Sequence, residues 1–412
     1  MKVDVAIAGG GLVGASLALA LADLKLKVVL IESQPFGSVD QPSFDDRTTA
    51  LSNGSRRIFE GLDVWPLLER EATPIKRIHI SDQGRFAFAR IDAEEQHLQA
   101  LGFVVINRDM GAALWQRLQE EAVTLLAPAR VVSSELKDDY RELRCETGAD
   151  ASVTIQARLV IAADGAKSVV RKSAGIGATT WDYQQHALVT NVFTQRFHDY
   201  VAYERFTPQG PLALLPVSEG RVGLIWTFAP EVAEQVRDLD DAAFLDRLQQ
   251  AFGFRLGRFT RVGARHLYPL SLTRADEHAA PRLAVVGNAA QSLHPIAGQG
   301  FNLGLRDAAS LAEVLADALE AAGDQSKFDA GDALLLGRYR EWRTADSRKI
   351  VGFTDGLVRL FTQPLGAAKL ARNIGLLAFD LMPAAKDALS QLSLGAAGRI
   401  PRLARGARLR SR

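Results

Sequence analysis

Apolar residues at the start of the chain form two short blocks, with a glycine-rich turn and a helical stretch between them. Val3 to Ala8 is largely apolar and rich in β-forming residues, which is typical of a strand buried on both faces. Ala15 to Leu24 has the composition of a helix, and Val28 to Ile31 that of a second buried strand. The pattern predicts a strand, a turn, a helix and a second strand in that order.

The same stretch has the length of a membrane span or of a signal-peptide core. Val5 to Ala22 is 18 residues long and contains no charge, so length alone permits either interpretation. Asp4 stands where a signal peptide requires positive charge, and four glycines interrupt the stretch. We therefore favour the strand–turn–helix interpretation.

The turn itself matches the pattern G-x-G-x-x-G with Gly9, Gly11 and Gly14. The first glycine permits the tight turn, the second lets the backbone approach a pyrophosphate, and the third lets the helix pack on its strand. Glu32 ends the second strand, 18 residues after Gly14, close to the roughly 20 expected for an acid that binds ribose hydroxyls. This combination predicts a dinucleotide site.

Two later buried strands also end in glycine-containing turns. Leu159 to Ala163 is followed by Asp164-Gly165, after which Ser168 can begin a helix. Leu283 to Val286 is followed by Gly287-Asn288, a glycine-rich loop and a helix predicted from about residue 303 to 318. Amides of such a loop can face a ring system or an anion. The glycines of this loop and helix start are Gly298, Gly300 and Gly304.

Composition changes this picture little. The chain has 412 residues, 47% hydrophobic and 24% charged, which predicts two or three soluble domains and excludes a disordered, collagen-like or polytopic membrane protein. Its net charge of +1 gives no reason to expect nucleic acid as a partner. Cys145 is the one cysteine, so no intrachain disulfide forms, which fits a reducing compartment. The seven histidines are scattered, and we expect no metal site.

The near-zero charge conceals an asymmetry. No acidic residue follows Asp387, and removing the last six arginines leaves 43 basic against 48 acidic residues. The chain is therefore an acidic body with a basic tail. The arginines of the tail are Arg399, Arg402, Arg405, Arg408, Arg410 and Arg412.

The three strand–turn elements together resemble the FAD-dependent aromatic hydroxylases of the para-hydroxybenzoate hydroxylase type. Further segments resemble the ubiquinone-biosynthesis hydroxylases among them, closest to the 2-polyprenyl-6-methoxyphenol hydroxylase branch. Those segments are residues 44–51, 204–216 and 372–376. The resemblance implies an α/β fold with a discontinuous Rossmann-like FAD-binding domain, an antiparallel-sheet substrate domain and a C-terminal helical region.

The resemblance also assigns the cofactor residues. The first turn and its acid hold the ADP half of FAD, the second contacts the pyrophosphate and a passing nicotinamide cofactor, and the third binds the ribityl chain. The loop after it cups the isoalloxazine: Pro295 contacts the oxygenated ring position, and His294 is a candidate acid or base, with a plain loop residue as the alternative. The residues so placed at FAD are Gly9, Gly11, Gly14, Glu32, Arg47, Arg108, Asp164, Gly165, Gly287, Asn288, Gly298, Gly300, Phe301 and Asn302.

The sequence departs from the family at three positions. Asn288 replaces the usual aspartate; its oxygen still accepts a hydrogen bond but carries no charge. Ser33 stands where arginine is common, and Gly111 stands where many members have a glutamine that contacts flavin. The last departure weakens the assignment of Arg108, and none removes the cofactor site.

The motif positions divide the chain into three regions. We expect residues 1–75, 103–178 and 268–335 to build the FAD-binding domain, residues 76–102 and 179–267 the substrate domain, and residues 336–412 the C-terminal helical region. Alternating, β-branched segments predict the substrate sheet. Its candidate pocket residues are Tyr203, Phe206, Leu215 and Trp226.

The implied reaction is hydroxylation of a polyprenylated phenol by O2. In the family, NAD(P)H visits transiently and reduces FAD, and a flavin hydroperoxide then delivers oxygen para to the phenol hydroxyl. Other ring positions, a soluble phenol and a non-catalytic flavin-binding assembly protein stay open as alternatives. A flavin halogenase is disfavoured because no Trp-x-Trp element is present.

The apolar C-terminal region and the arginine tail suggest a location. Basic residues near an anionic leaflet contribute about 1 kcal/mol each, so Arg399 to Arg412 are expected to attach the protein to the inner face of the cytoplasmic membrane. A freely solvated tail is the alternative. A complex of ubiquinone-biosynthesis proteins is a further possible partner implied by the resemblance.

Overall fold

The computed structural model describes residues 1–35, 45–84, 88–148, 151–292, 299–346 and 398–409. Within these ranges the strands form three sheets, of eight, nine and three strands. We refer to them as the first, second and third sheet. This α/β architecture agrees with the fold class expected from the sequence.

The first sheet contains the predicted buried strands. Its members are β1 (Lys2–Ala8), β2 (Val28–Ile31), β8 (Val123–Leu126), β9 (Arg130–Leu136), β10 (Arg141–Glu146), β11 (Ser152–Ala162), β18 (Ala279–Ala280) and β19 (Leu283–Val285). Five of them run parallel in the order β19–β11–β1–β2–β8. The carboxyl ends of these strands therefore meet at one edge of the sheet.

Helices cover one face of the five parallel strands, and the antiparallel strands β9 and β10 help to cover their other face. Val5 and Ile7 pack with the helices, whereas Ala6 and Ala8 pack with the side that holds Cys145. Burial raises the pKa of the Cys145 thiol to about 11, so this cysteine behaves as a small apolar residue. The α-helices whose two ends both lie within the described residues are α1 (Leu12–Ala22), α2 (Asn53–Gly61), α3 (Trp65–Leu68), α4 (Asn107–Gln119), α5 (Val169–Ser173), α6 (Pro230–Arg237), α7 (Asp241–Phe252) and α8 (Gln299–Ala322).

The second sheet is antiparallel apart from one parallel pair. Its strands are β5 (Arg77–Asp82), β6 (Phe88–Asp92), β12 (Ala178–Thr194), β13 (Val201–Phe206), β14 (Pro211–Pro216), β15 (Arg221–Phe228), β16 (Phe259–Val262), β17 (His266–Ala275) and β20 (Gln291–Ser292). The parallel pair is β5 with β13. Because β17 belongs to this sheet as far as Ala275, the domain boundary expected at residue 268 falls inside a strand.

The two faces of the second sheet have different neighbours. Leu188, Leu212 and Trp226 pack with residues of α6 and α7, and we call this the outer face. The opposite, inner face turns toward the third sheet, which consists of β3 (Thr48–Ser52), β4 (Thr73–Ile75) and β7 (Gly102–Ile106). Ala202 on β13 belongs to the same buried hydrophobic cluster as Val104 on β7, and this cluster connects the two sheets.

The C-terminal region is partly described. Residues 333–346 are helical, as expected, whereas residues 347–397, most of the apolar C-terminal region, lie outside the described residues. In the part of the chain that the structure covers, no helix combines the length and the apolar character that crossing a bilayer requires.

The arginine tail is docked on the body of the protein. Arg399 forms an ion pair with Glu313 at 3.3 Å and places its guanidinium 3.8 Å from the centre of the Trp342 ring. Arg402 pairs with Asp317 on the same helix, α8, and Arg408 lies 3.5 Å from Asp63. The alternative of a freely solvated tail is therefore wrong for these three arginines.

Candidate active site

The first turn is built on close backbone contacts. Gly9 has a φ of +106°, and a Cβ there would lie 2.4 Å from the carbonyl oxygen of Ala163. A Cβ on Gly14 would lie 1.9 Å from the carbonyl oxygen of Gly9. Gly11 occupies the N-cap of α1, where no side chain of the described residues caps the helix. The first amides of α1 are consequently left for an anion.

Glu32 lies beside this turn. Its side chain is 7% exposed, and Oε2 accepts a hydrogen bond of 2.7 Å from the amide of Gly10. Oε1 accepts from Ser33 Oγ at 3.0 Å and from the amide of Gln34 at 2.9 Å. The carboxylate is thus held at the carboxyl end of β2, where it can accept hydrogen bonds from ribose hydroxyls.

The second turn follows β11, next to the first. Asp164 accepts hydrogen bonds from Ser168 Oγ and, at 2.8 Å, from the amide of Val169, so its carboxylate caps α5. Gly165 has a φ of +83°, a conformation that favours glycine. Arg171 on α5 is buried and donates at 2.6 Å to the carbonyl oxygen of Ala289, which ties the second turn to the third.

The third turn follows β19. Gly287 has a φ of +59°, and a Cβ there would meet the Val13 side chain at 3.1 Å. Gly304 on α8 is equally close, with a Cβ position 2.9 Å from Val13 and 3.0 Å from the Cα of Gly287. Asn288 is exposed and has no recorded hydrogen-bond partner among the described residues, so its amide is available to a ligand.

A network of buried charged residues holds the third turn in place. Asp307 is 0% exposed, accepts from the Gly287 amide at 3.0 Å and pairs with Arg343 at 2.6 Å. Arg343 also pairs with Asp346, which in turn pairs with Arg306, each at 2.9 Å. Arg306 donates to the carbonyl oxygen of Arg399. The docked tail therefore continues this network, which sequence reasoning did not identify.

The loop after the third turn leads into the start of α8. His294, Pro295 and Gly298 lie outside the described residues, and Gly300 has open space at its Cβ position. The Asn302 side chain accepts from the Ser52 amide at 2.9 Å and donates to the carbonyl oxygen of Ala50 at 2.9 Å. Phe301 lies 6.2 Å from the Phe59 ring. Both residues thus fasten the start of α8 to β3 and α2.

Arg47 and Arg108 come together near the start of β3. Arg47 pairs with Asp45 at 2.5 Å and stacks 4.6 Å from the centre of the Tyr268 ring. Tyr268 donates to Asp45 at 3.4 Å, and burial together with that carboxylate raises the pKa of its hydroxyl. Arg108 is half-exposed and pairs with Asp46 at 2.5 Å. Tyr268, which sequence reasoning missed, connects this group to the second sheet.

The structure separates the four candidate pocket residues. Tyr203 and Trp226 pack on the outer face, against residues of α6 and α7, and Trp226 is only 1% exposed. Leu215 lies on the inner face, where it packs with the third sheet, and Phe206 shares that face by strand alternation. Only Leu215 and Phe206 are therefore placed to border a space on the cofactor side.

These turns fit FAD. They lie at the carboxyl ends of adjacent parallel strands, where α/β sheets bind ligands, and added Cβ atoms would fill the cradle. Glu32, the α1 amides and Asn288 supply the acceptor and donor groups that the ribose, the pyrophosphate and the ribityl chain require. Among the described residues, no group of three or more potential ligands could hold a metal ion.

Comparison with known proteins agrees with this geometry. Residues 2–351 match the family described as FAD binding domain. The chain belongs to this family. It is accordingly a flavoprotein with FAD as cofactor, and the nature of its relatives makes it a FAD-dependent monooxygenase with NAD(P)H as the customary co-substrate.

Two curated relatives of this FAD-binding protein cover nearly all of it. It is 38% identical to the ubiquinone hydroxylase UbiL of Rhodospirillum rubrum, over 98% of the chain and 92% of the relative. It is 34% identical to the 3-demethoxyubiquinol 3-hydroxylase of Escherichia coli, over 95% and 98% respectively. These matches confirm the resemblance on which the sequence analysis relied.

Solved structures confirm the fold. The p-nitrophenol 4-monooxygenase PnpA of Pseudomonas putida superposes with a TM-score of 0.77 over 97% of this chain and 100% of that one, at 19% identity. PqsL of Pseudomonas aeruginosa, in complex with 2-aminobenzoylacetate, gives a TM-score of 0.74 over 92% of this chain and 100% of that one, at 21% identity.

Proposed function

We propose that this monooxygenase hydroxylates the aromatic ring of a polyprenylated phenol in ubiquinone biosynthesis, converting 2-polyprenyl-6-methoxyphenol to the 1,4-benzoquinol. The names of the two curated relatives support the pathway. The structural observation that carries the proposal is the inner face of the second sheet. It presents Leu215, Ala213 and Ile225 on the side where Tyr268 meets Arg47, and an apolar ring fits such a surface.

Each part of the site has a task in this reaction. FAD, when bound, takes electrons from NAD(P)H and uses them to activate O2, which is chemistry that amino-acid side chains do not supply. Glu32 binds the adenosine ribose, the amides of α1 bind the pyrophosphate and Asn288 binds the ribityl chain. The apolar inner face excludes water from the reacting ring. Pro295 and His294 stay proposed neighbours of the flavin ring.

A second ring position is the main competing candidate. The Escherichia coli relative is named for hydroxylation at position 3 of demethoxyubiquinol, and the cofactor turns would serve either position equally well. The quinone profile of cells that lack this protein separates the two. We expect 2-polyprenyl-6-methoxyphenol to accumulate; accumulation of a demethoxy quinol would assign the other position.

Turnover by the purified protein distinguishes an enzyme of this kind from a flavin-binding assembly protein. We expect NAD(P)H and O2 consumption to rise when a short-chain 2-prenyl-6-methoxyphenol is added to the FAD-loaded protein. Hydroxylated product should form in proportion to the NAD(P)H and O2 consumed. If NAD(P)H and O2 consumption does not change when the phenol is added and no product forms, the assembly role or a soluble phenol as the substrate would be favoured.

We also propose that the protein attaches peripherally to the inner face of the cytoplasmic membrane, either alone or as part of a ubiquinone-biosynthesis complex. The support for this proposal is the lipid character of the proposed substrate and the exposed Arg405; Arg410 and Arg412 lie outside the described residues. Because Arg399 and Arg402 are ion-paired, deleting the tail would disturb the body. Replacing Arg405, Arg410 and Arg412 by glutamine should reduce sedimentation with anionic liposomes at low salt. Unchanged sedimentation would remove the tail from membrane binding.

A further inference from the structure

Glu204 occupies the middle of β13 on the inner face of the second sheet. Its neighbour Tyr203 packs on the outer face, so strand alternation turns Glu204 the opposite way. The residue directly across β14 is Ala213, and across β5 it is Ile80. A carboxyl group therefore stands in a row of apolar side chains that faces the cofactor half of the protein.

The Glu204 side chain has no hydrogen-bond or ion-pair partner in the part of the protein that the structure describes, although protein surrounds the group. The residue nevertheless keeps partial exposure, so a ligand can reach it. Leaving a carboxylate unsatisfied in such surroundings is costly, and natural proteins retain such groups chiefly where they act on a ligand.

Burial raises the pKa of the Glu204 carboxyl to about 7. Charged residues lie on or near the inner face, but burial alone accounts for the raised pKa of the Glu204 carboxyl. A carboxyl with a pKa near neutrality can both take up and release a proton at the operating pH. The charged groups concerned are Asp45, Arg47, Asp82, Arg108, Asp109 and Arg221.

The inner face also sets the distance between Glu204 and the cofactor side. Gly223 on β15 lets Thr48 approach closely, since a Cβ there would lie 2.9 Å from Thr48 Oγ1. Gly223 lies two strands and two residues away from Glu204, which corresponds to roughly 12 Å. This separation along the sheet, between Glu204 and the segment that begins β3 beside Arg47, is longer than one aromatic ring.

We propose that Glu204 accepts the proton of the substrate's phenol hydroxyl, an assignment that rests on the proposed function. The O–H bond of the phenol breaks, its electron pair stays on the phenolate oxygen, and a new O–H bond forms on the Glu204 carboxylate. The proton returns to the same oxygen when the quinol product forms, so the step needs no oxidant or reductant of its own. The phenolate is the more electron-rich ring and therefore the better acceptor of an electrophilic oxygen.

The test compares Glu204→Gln, Glu204→Asp and wild type as FAD-loaded proteins with a short-chain 2-prenyl-6-methoxyphenol. We expect Glu204→Gln to form product about 100-fold more slowly, in line with the usual contribution of a general base. FAD content and the rate of flavin reduction by NAD(P)H should be unchanged, and Glu204→Asp should recover part of the rate. Glu234→Gln, which alters an exposed glutamate on α6, serves as the matched control.

The pH profile separates a base from a merely structural residue. Product formation by wild type should rise through pH 7, and Glu204→Gln should lose this limb and become active only at a pH nearer the pKa of the free phenol. Two outcomes would overturn the assignment of Glu204 and leave the proposed function intact. In the first, wild type and Glu204→Gln hydroxylate the phenol at the same rate. In the second, Glu204→Gln is slow but its rate still rises through pH 7. A wild type that hydroxylates no phenol would overturn both this assignment and the proposed function.

Discussion

The carboxyl edge of the first sheet and the inner face of the second sheet are built in different ways. At the edge, backbone atoms approach so closely that Gly9 and Gly14 leave no space for a Cβ. On the inner face, alternate side chains such as Leu215 and Tyr268 form the surface. The first arrangement fits a cofactor of fixed structure, and the second can vary with the substrate.

The difference has a mechanical consequence. A substitution at the edge must move two backbone segments, so we expect it to abolish FAD binding. A substitution on the inner face changes one wall of a pocket, so we expect it to alter product formation while FAD stays bound.

The largest effect is expected for Gly14→Val. The added Cβ would lie 1.9 Å from the carbonyl oxygen of Gly9, so α1 and the first turn must separate and the pyrophosphate site is lost. The purified variant should carry less than about a tenth of the wild-type FAD, measured by flavin absorbance per protein. Full flavin occupancy would refute the assignment of this turn.

Asp307→Asn should come next. The change leaves the fully buried Arg343 with Asp346 as its acidic partner and weakens the acceptor of the Gly287 amide. Removing one member of a buried ion pair costs about 3 kcal/mol, and we expect a loss of that order in the free energy of unfolding together with weaker FAD binding. Denaturant titration and flavin titration measure the two effects.

Asp246→Asn is the control for this prediction, because Asp246 is exposed on α7 and no hydrogen bond of its side chain is recorded. A stability loss shared by both variants would indicate that the buried network contributes nothing specific. Normal FAD affinity in a destabilised Asp307→Asn protein would show that the network supports the fold but not the third turn.

A pair of variants tests the two faces of the second sheet. Trp226→Leu on the outer face leaves a cavity and should cost about 2 kcal/mol of stability without changing product formed per NAD(P)H. Leu215→Ala on the inner face should cost less stability, but raise the KM for the phenol and lower product per NAD(P)H. The opposite pattern would mean that the two faces have been assigned the wrong way round.

A pH-dependent change in stability is expected for Glu204→Gln. Because the folded carboxyl has a raised pKa, of about 7, the unfolded chain releases this proton at lower pH than the folded one. Ionisation of Glu204 therefore destabilises the wild type progressively between about pH 4.5 and 7, and fully above pH 7. The variant should melt a few degrees above wild type at pH 8 and at the same temperature at pH 4, in thermal scans of the FAD-free proteins. Equal melting temperatures at both pH values would contradict a buried, unpaired carboxyl.

Local patterns in the sequence were sufficient to predict β1, β2, β11 and β19 of the first sheet. A buried strand, a glycine turn and a helix start follow one another within a few residues, so Gly9, Asp164 and Gly287 could be placed without knowledge of distant contacts. Strand alternation also separates two of the candidate pocket residues. Tyr203 and Phe206 are three residues apart on one strand, so their side chains must face opposite sides of the sheet.

Contacts between distant segments could not be predicted in this way. The arginines of the tail were expected to be available to lipid, because nothing nearby in sequence pairs with them. Their partners Glu313, Asp317 and Asp63 lie far away along the chain. The stacking of Arg47 on Tyr268 and the support of Gly287 by Asp307 are of the same kind, and folding alone brings these residues together.

Oxygen-isotope labelling tests the central claim most directly. The FAD-loaded protein, NAD(P)H and a short-chain 2-prenyl-6-methoxyphenol are incubated under ¹⁸O₂, and the quinol is analysed by mass spectrometry with fragmentation of the ring. The account predicts one ¹⁸O atom per product molecule, on the carbon para to the original hydroxyl. A product without the label, or no product despite full FAD occupancy, would contradict it.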